Sequence, residues 1–140
     1  MIIKKLNISH YKSIKKLVTK SGFKIPDYLY WKELWGNKIK TNIGDGIIHN
    51  NQIVGYHSHF EKKLIYKNKV YKILVSSNWN VKKKFRSFSL ILLNRYFNKK
   101  SDIYLTTTAS NRVSKIWKSF NAHEINNKGC KMIFFSILNI

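Results

Sequence analysis

Acidic residues are scarce in this chain: six in 140 positions, against 27 lysines and arginines, for a formal net charge of +21. Arginine is scarce too, with only Arg86, Arg95 and Arg112 among those 27 cations. The guanidinium fork is the usual means of bidentate base and phosphate reading, so a lysine-dominated excess argues against sequence-specific nucleic-acid recognition. A single cysteine, Cys130, excludes an intrachain disulfide framework and a cysteine cluster for zinc. Long apolar runs are missing: Leu90–Ile91–Leu92–Leu93 is far short of the roughly 20 residues a membrane span needs. The start, MIIKKLNISHYKSIKK, has no apolar segment of the kind a signal peptide carries. The expectation from these absences is a cytoplasmic protein with no membrane span.

What is present is enough for a core. Hydrophobic residues make up 44% and aromatic residues 14% of the chain, which suits one domain over 1–140 and not a disordered basic tail. The charge implies a general attraction to anions: RNA, an anionic membrane face, a nucleotide cofactor or a charged sugar.

Along the chain, Tyr11, Ile14, Leu17 and Val18 recur at helical spacing after Ser9, a candidate cap, and before Gly22, a stop. The aromatic segment DYLYWKELWG reads as a second helix closing at Gly36. Two turn signals, Asn50–Asn51 and Lys67–Asn68, then divide three strands rich in Ile, Val and Tyr, at 44–49, 52–66 and 69–81. A helix within 81–97, a strand DIYLTTT, a helix from Ser110–Asn111 and two strand-like segments, AHEI and KMIFFSIL, complete the order. The fold class expected is mixed α/β (α+β), a mostly antiparallel central sheet flanked by helices. The apolar IFFSIL is expected at a sheet edge, where it would pair with another copy in a homodimer or with further chain.

The stretch VKKKFRSFSLILLNRYF crowds cations and hydroxyls at a helix start. The first helical amides lack intrahelical partners and the helix dipole adds positive potential, so a pyrophosphate can accept several hydrogen bonds there. Arg86, Ser87, Phe88, Ser89, Leu90 and Ile91 are placed to supply those amides, with Lys82 to Lys84 adding charge. The plain alternative is a basic turn capped by Ser87 or Ser89.

The order of elements and this stretch together resemble the GNAT superfamily of N-acetyltransferases over nearly the whole chain. Val81 to Ile91 is similar to the family's coenzyme A loop, Asn50–Asn51–Gln52–Ile53–Val54–Gly55–Tyr56 to its turn before a Lys-Ile-Val-Gly strand, and Ser114 to Ala122 to its Leu-Tyr…Gly-Phe signature. DYLYWKELWG followed by the hairpin resembles acyltransferases of surface-polysaccharide biosynthesis. The loop glycines of the family are here Ser89 and Ile91, a degenerate coenzyme A loop; the tyrosine that often protonates the thiolate is Trp117, and the glycine of Gly-Phe is Asn121. The resemblance implies acetyl-CoA as co-substrate, bound at Val81, Arg86 to Ile91 and Asn111. It also implies acetyl transfer to a small amine, with an amino sugar as the finer reading.

Direct attack by an amine needs a base and a site for the oxyanion. His57, His59 and Glu61 alternate on one strand, so a regular strand projects all three from one face as candidate bases. The same pattern also fits a solvated sheet face, and a metal site would need a ligand from elsewhere. Ser76, Asn78 and Asn80 form a polar face suited to an acceptor groove or to solvent. Asn111 is equally a helix cap, and Cys130 reads as a small buried residue. Two rival functions remain open: a catalytically inactive GNAT-like binding domain, and a basic nucleic-acid-associated protein.

Overall fold

A computed structural model describes residues 1–24, 27–28, 42–106, 109–127 and 130–136, with side chains up to position 124. The segment expected to form the second helix lies almost wholly outside the described residues. The fold is mixed α+β, a mostly antiparallel sheet flanked by helices. Two compact units divide the chain, Met1–Ser58 with Asn78–Asn98, and His59–Ser77 with Lys99–Ile140. Strands β3 (Gln52–Tyr66) and β4 (Lys69–Val81) run through both.

In the first unit, β1 (Ile2–Leu6) pairs antiparallel with β2 (Gly44–His49), which pairs antiparallel with β3. β1 was not expected: Lys4 and Lys5 interrupt its apolar pattern, and only Leu6 is buried. Helix α1 (Tyr11–Thr19) buries Tyr11, Ile14, Leu17 and Val18, as their spacing predicts. Ser9 does not cap it: α1 follows a 3-10 turn, Ile8–His10, without a side-chain cap of its own, and that turn is capped by Asn7, whose carboxamide accepts from the Ser9 amide at 3.1 Å. Gly22 ends the segment in the left-handed region, φ +82°, where a side chain is disfavoured.

The expected turns hold in detail. Asn50 and Asn51 have φ of 47° and 55°, and Lys67 and Asn68 have 47° and 62°, the left-handed pair that a two-residue hairpin requires. Gly44 sits at φ +151°, and a Cβ there would lie 2.4 Å from the His57 carbonyl, so β2 approaches β3 only because no side chain intervenes. Beside it Tyr56, fully buried, donates its hydroxyl to the Ile43 carbonyl at 3.0 Å, and burial pushes its phenol well above the usual range.

Helix α2 (Ser89–Phe97) buries Leu92, Leu93 and Tyr96. Such side chains contribute about 1.5–3 kcal/mol each when fully buried. Leu92 joins Ile47 and Val54 in a cluster against which Ile3, Trp79, Val81, Phe85 and Phe88 pack. Arg95 of α2 reaches the Asp45 carboxylate of β2 at 3.2 Å; Asp45 is 1% exposed and Arg95 about 40%.

In the second unit, β4 pairs in parallel with β5 (Ile103–Thr106) from Ile73 to Ser76. β5 pairs antiparallel with β7 (Cys130–Ser136), and β7 with β6 (His123–Asn127). The C-terminal apolar strand is therefore not an edge: β7 is hydrogen-bonded on both sides, and β6 takes the outer position. The edge argument for a homodimer falls with that correction. Helix α3 (Asn111–Lys118) buries Trp117, and Tyr104 of β5 donates its hydroxyl to the Lys99 carbonyl.

Two expectations follow. Arg95→Leu removes the guanidinium that meets Asp45 Oδ1, and the loss of this contact to a buried carboxylate should destabilise the protein by roughly 2–4 kcal/mol, read from urea denaturation midpoints. His10 is held below the usual histidine range by desolvation and by the Lys4 charge. The folded state therefore favours neutral imidazole, so His10's contribution is complete above about pH 6.5 and lost as pH falls below it. The midpoint should drop on acidification through this window, and the drop should be smaller in His10→Gln.

Candidate functional site

The geometry after β4 follows from its last residues. The Lys82 amide donates to the Val54 carbonyl at 2.8 Å, ending the strand, and the Phe85 amide then turns back to the Lys82 carbonyl at 2.8 Å. A 3-10 segment, Lys83–Phe88, follows and runs into α2 at Ser89, so the α-helix begins later than the stretch suggests. Phe85 and Phe88, three apart, share one side of a three-residue turn and both pack on the Ile47–Val54–Leu92 cluster. The His49 ring stacks beside Phe85 at 5.1 Å. What faces solvent in consequence is Lys83, Lys84, Arg86 and Ser87.

Neither serine caps this start by accepting from an amide. The Ser89 hydroxyl donates to the Arg86 carbonyl at 2.6 Å, and the Ser89 amide also turns to that carbonyl. The capped-turn alternative is thereby corrected: neither the 3-10 segment nor α2 carries a side-chain cap. Val81 is half-buried against the cluster, while Leu90 and Ile91 are 52% and 40% exposed on the first turn of α2. The Ile91 side chain therefore occupies solvent rather than the core.

The three candidate bases have unlike surroundings. His57 is 1% exposed, its Nδ1 lies 3.5 Å from the Leu92 carbonyl, and its ring sits 5.0 Å from Tyr96 and 5.9 Å from Trp79. His59 is 4% exposed. Glu61 is exposed and pairs with Lys72 at 3.0 Å. A solvated strand face is thus excluded for the histidines, because α2 covers His57. Among the described residues, no group of three or more His, Cys, Asp or Glu is placed to hold a metal ion.

The polar face of β4 is mostly covered: Ser76 and Asn80 are buried and Asn78 is half-buried. The Asn78 amide donates to the hydroxyl of Ser58, itself fully buried, at 2.9 Å. Ser58 was not singled out in the sequence, where a serine between two histidines gives no signal of that bond. Asp45 was missed likewise; only its scarcity as an acid, between two glycines, hinted at a fixed role.

At α3, the cap is Ser110, whose hydroxyl accepts from the Val113 amide at 3.4 Å. Asn111 is instead the first helical residue, exposed, and it lines a cavity of about 410 Å³ with Thr106, Ser114, Lys115, Lys118 and Glu124. Lys118 and Glu124 pair across it at 2.9 Å. Trp117 is 1% exposed. The Cys130 side chain lies outside the described residues.

No family model and no curated protein matches the chain. Solved structures do. The Bacillus subtilis N-acetyltransferase YlbP, crystallised with coenzyme A, is 17% identical and superposes with a TM-score of 0.63, over 96% of this chain and 95% of its own. Arabidopsis thaliana Naa50, with a bisubstrate analogue, is 14% identical at a TM-score of 0.69, over 97% and 98%. The diaminobutyrate acetyltransferase EctA from Paenibacillus lautus, with its substrate L-2,4-diaminobutyric acid and coenzyme A, is 13% identical at 0.65, over 95% and 92%. At these identities the likeness establishes the fold, that of the GNAT acetyltransferases.

Proposed function

We propose that this GNAT-fold chain acts over 1–140 as an acyl-CoA-dependent N-acyltransferase, moving an acetyl group from acetyl-CoA to a small amine. The observation that carries the reading is the passage from β4 through the exposed Lys83, Lys84, Arg86 and Ser87 into α2, in a fold whose solved relatives YlbP and EctA were crystallised with coenzyme A. In this reading the pyrophosphate lies against Arg86, Ser87, Phe88 and Ser89, where flexible ammonium groups and the guanidinium fork both suit phosphate oxygens. Leu90 and Ile91 add an exposed apolar rim, and Val81 ends the strand that addresses the thioester. Asn111 is assigned to the cofactor's pantetheine or adenosine arm.

The reaction forms a carbon–nitrogen bond and breaks carbon–sulfur: the amine attacks the thioester carbonyl, the tetrahedral oxyanion collapses, and the thiolate leaves and is protonated. Of the candidate bases on β3, only Glu61 presents its acid group to solvent, so it is assigned to take the ammonium proton. His57 and His59 are assigned to hold the strand in place. An amino sugar is the acceptor we favour, on the likeness of DYLYWKELWG to acyltransferases of surface-polysaccharide biosynthesis.

A second reading has its own support. Buried His57 and His59, and Trp117 where the family often has tyrosine, favour a GNAT-like domain that binds the thioester without turning it over. Thiol release measured over a panel of amines that includes amino sugars separates the two: turnover with any of them excludes the silent domain.

Arg86→Glu should weaken acetyl-CoA by about tenfold or more in a calorimetric titration, the loss expected for one charged hydrogen bond, with the unfolding midpoint unchanged. Unchanged affinity would remove the assigned site. With an active acceptor in hand, Glu61→Gln should lower kcat by about 10²–10⁴, the usual contribution of a general base. An unaltered kcat would exclude Glu61 as the base.

A further inference from the structure

A second cationic feature lies on the opposite side of the first unit's strands from α2. A cavity of about 380 Å³ is lined by Ser13, Lys16, Leu17 and Lys20 of α1 and its end, the hairpin residues Asn51, Gln52 and Ile53, and Lys82. Residues 13, 16, 17 and 20 are three, four and seven apart, so they fall on one face of α1 and look into one space. Leu17 and Ile53, 3% and 7% exposed, form an apolar floor. Three lysines therefore line one cavity that has an apolar floor, where their field is focused rather than dispersed.

Among the described residues no acid lines this cavity, and Lys16, Lys20 and Lys82 enter no ion pair. The carbonyls at the C-terminal end of α1 favour cations there, which accounts for Lys16 and Lys20. They do not account for Lys82, brought in from the end of β4. Ser13, Asn51 and Gln52 add neutral donors around the three charges. A lone carboxylate would balance one ammonium of three; a compact anion bearing linked phosphates can meet all three and use the neutral donors as well.

We propose that this cavity is a binding site for a small anion carrying two linked phosphates, free or as part of a nucleotide, separate from the coenzyme A segment after β4. It requires neither Arg86 nor Asn111 and does not depend on acyl transfer.

The test titrates the full chain with inorganic pyrophosphate and, separately, with ADP at low salt, by calorimetry and phosphorus NMR. One equivalent should bind saturably, and Lys16→Glu/Lys20→Glu should weaken it by about tenfold or more. These positions are exposed, so folding should be retained, which the unfolding midpoint checks. Lys63→Glu/Lys100→Glu, the same charge change at exposed lysines outside the cavity, should leave it within about twofold. Tighter pyrophosphate identifies the free anion and tighter ADP a nucleotide; either supports the site. Equal loss in both double variants would show only a diffuse field, and loss in Arg86→Glu alone would place the anion at the coenzyme A segment. No saturable binding, or affinity for single-stranded RNA alone, would also overturn the site. Acetyl-CoA binding retained in Lys16→Glu/Lys20→Glu keeps the two readings independent: either can fail while the other stands.

Discussion

The ion pair between Asp45 and Arg95 carries more of the first unit than its 3.2 Å contact suggests. Asp45 is buried on β2, and a buried carboxylate without a cation is costly, so Arg95 of α2 must stay where it is. The pair agrees with the rotation of α2 that turns Leu92, Leu93 and Tyr96 inward. The same rotation sets Leu90 and Ile91 outward at the helix start and brings the Leu92 carbonyl near the His57 ring. The exposed basic turn that precedes α2 inherits its position from this one pair together with Phe85 and Phe88, which anchor it to the cluster of Ile47, Val54 and Leu92.

Four of the few acids have a definite partner. Of the six in the sequence, Asp45 holds α2, Glu61 pairs with Lys72, Glu124 pairs with Lys118, and Asp102 accepts from the Lys72 amide at 2.6 Å. None of these four lies among the residues lining the α1 cavity or in the turn from Lys82 to Phe88. Exposed pairs such as Glu61–Lys72 contribute little to stability, so the distribution bears on where anions are attracted rather than on how firmly the chain folds.

The strands were legible because their punctuation is chemical: asparagine tolerates the left-handed region, and Asn50–Asn51 marks β2 and β3 to the residue. β1 was not legible, since an edge strand with one buried side needs few apolar residues and Lys4–Lys5 erases the period. The start of α2 misled for a related reason. Phe85 and Phe88 suit a three-residue turn as well as a helix, and only packing decides between them. Among the candidate bases, alternation put His57, His59 and Glu61 along one strand, but that α2 covers His57 is a matter of packing, and no local pattern encodes that. The place of β7 between β5 and β6 is likewise a matter of topology: an apolar strand reads the same at an edge and in the middle of a sheet.

The run Lys82–Lys83–Lys84 shows how strand geometry turns one charge block into two features. At the end of β4 successive side chains point to opposite faces, so Val81 joins the cluster under α2 while Lys82 enters the cavity beside Leu17 and Ile53. Once the strand ends, the 3-10 turn directs Lys83 and Lys84 outward with Arg86 and Ser87. The position of the last strand residue therefore decides how the cations are shared. Lys82 is the first residue past β4 and opens the 3-10 turn, yet its amide still bonds to β3, so its side chain keeps the alternation of the strand. The Lys82 amide, held by the Val54 carbonyl at 2.8 Å, is the bond that makes the division.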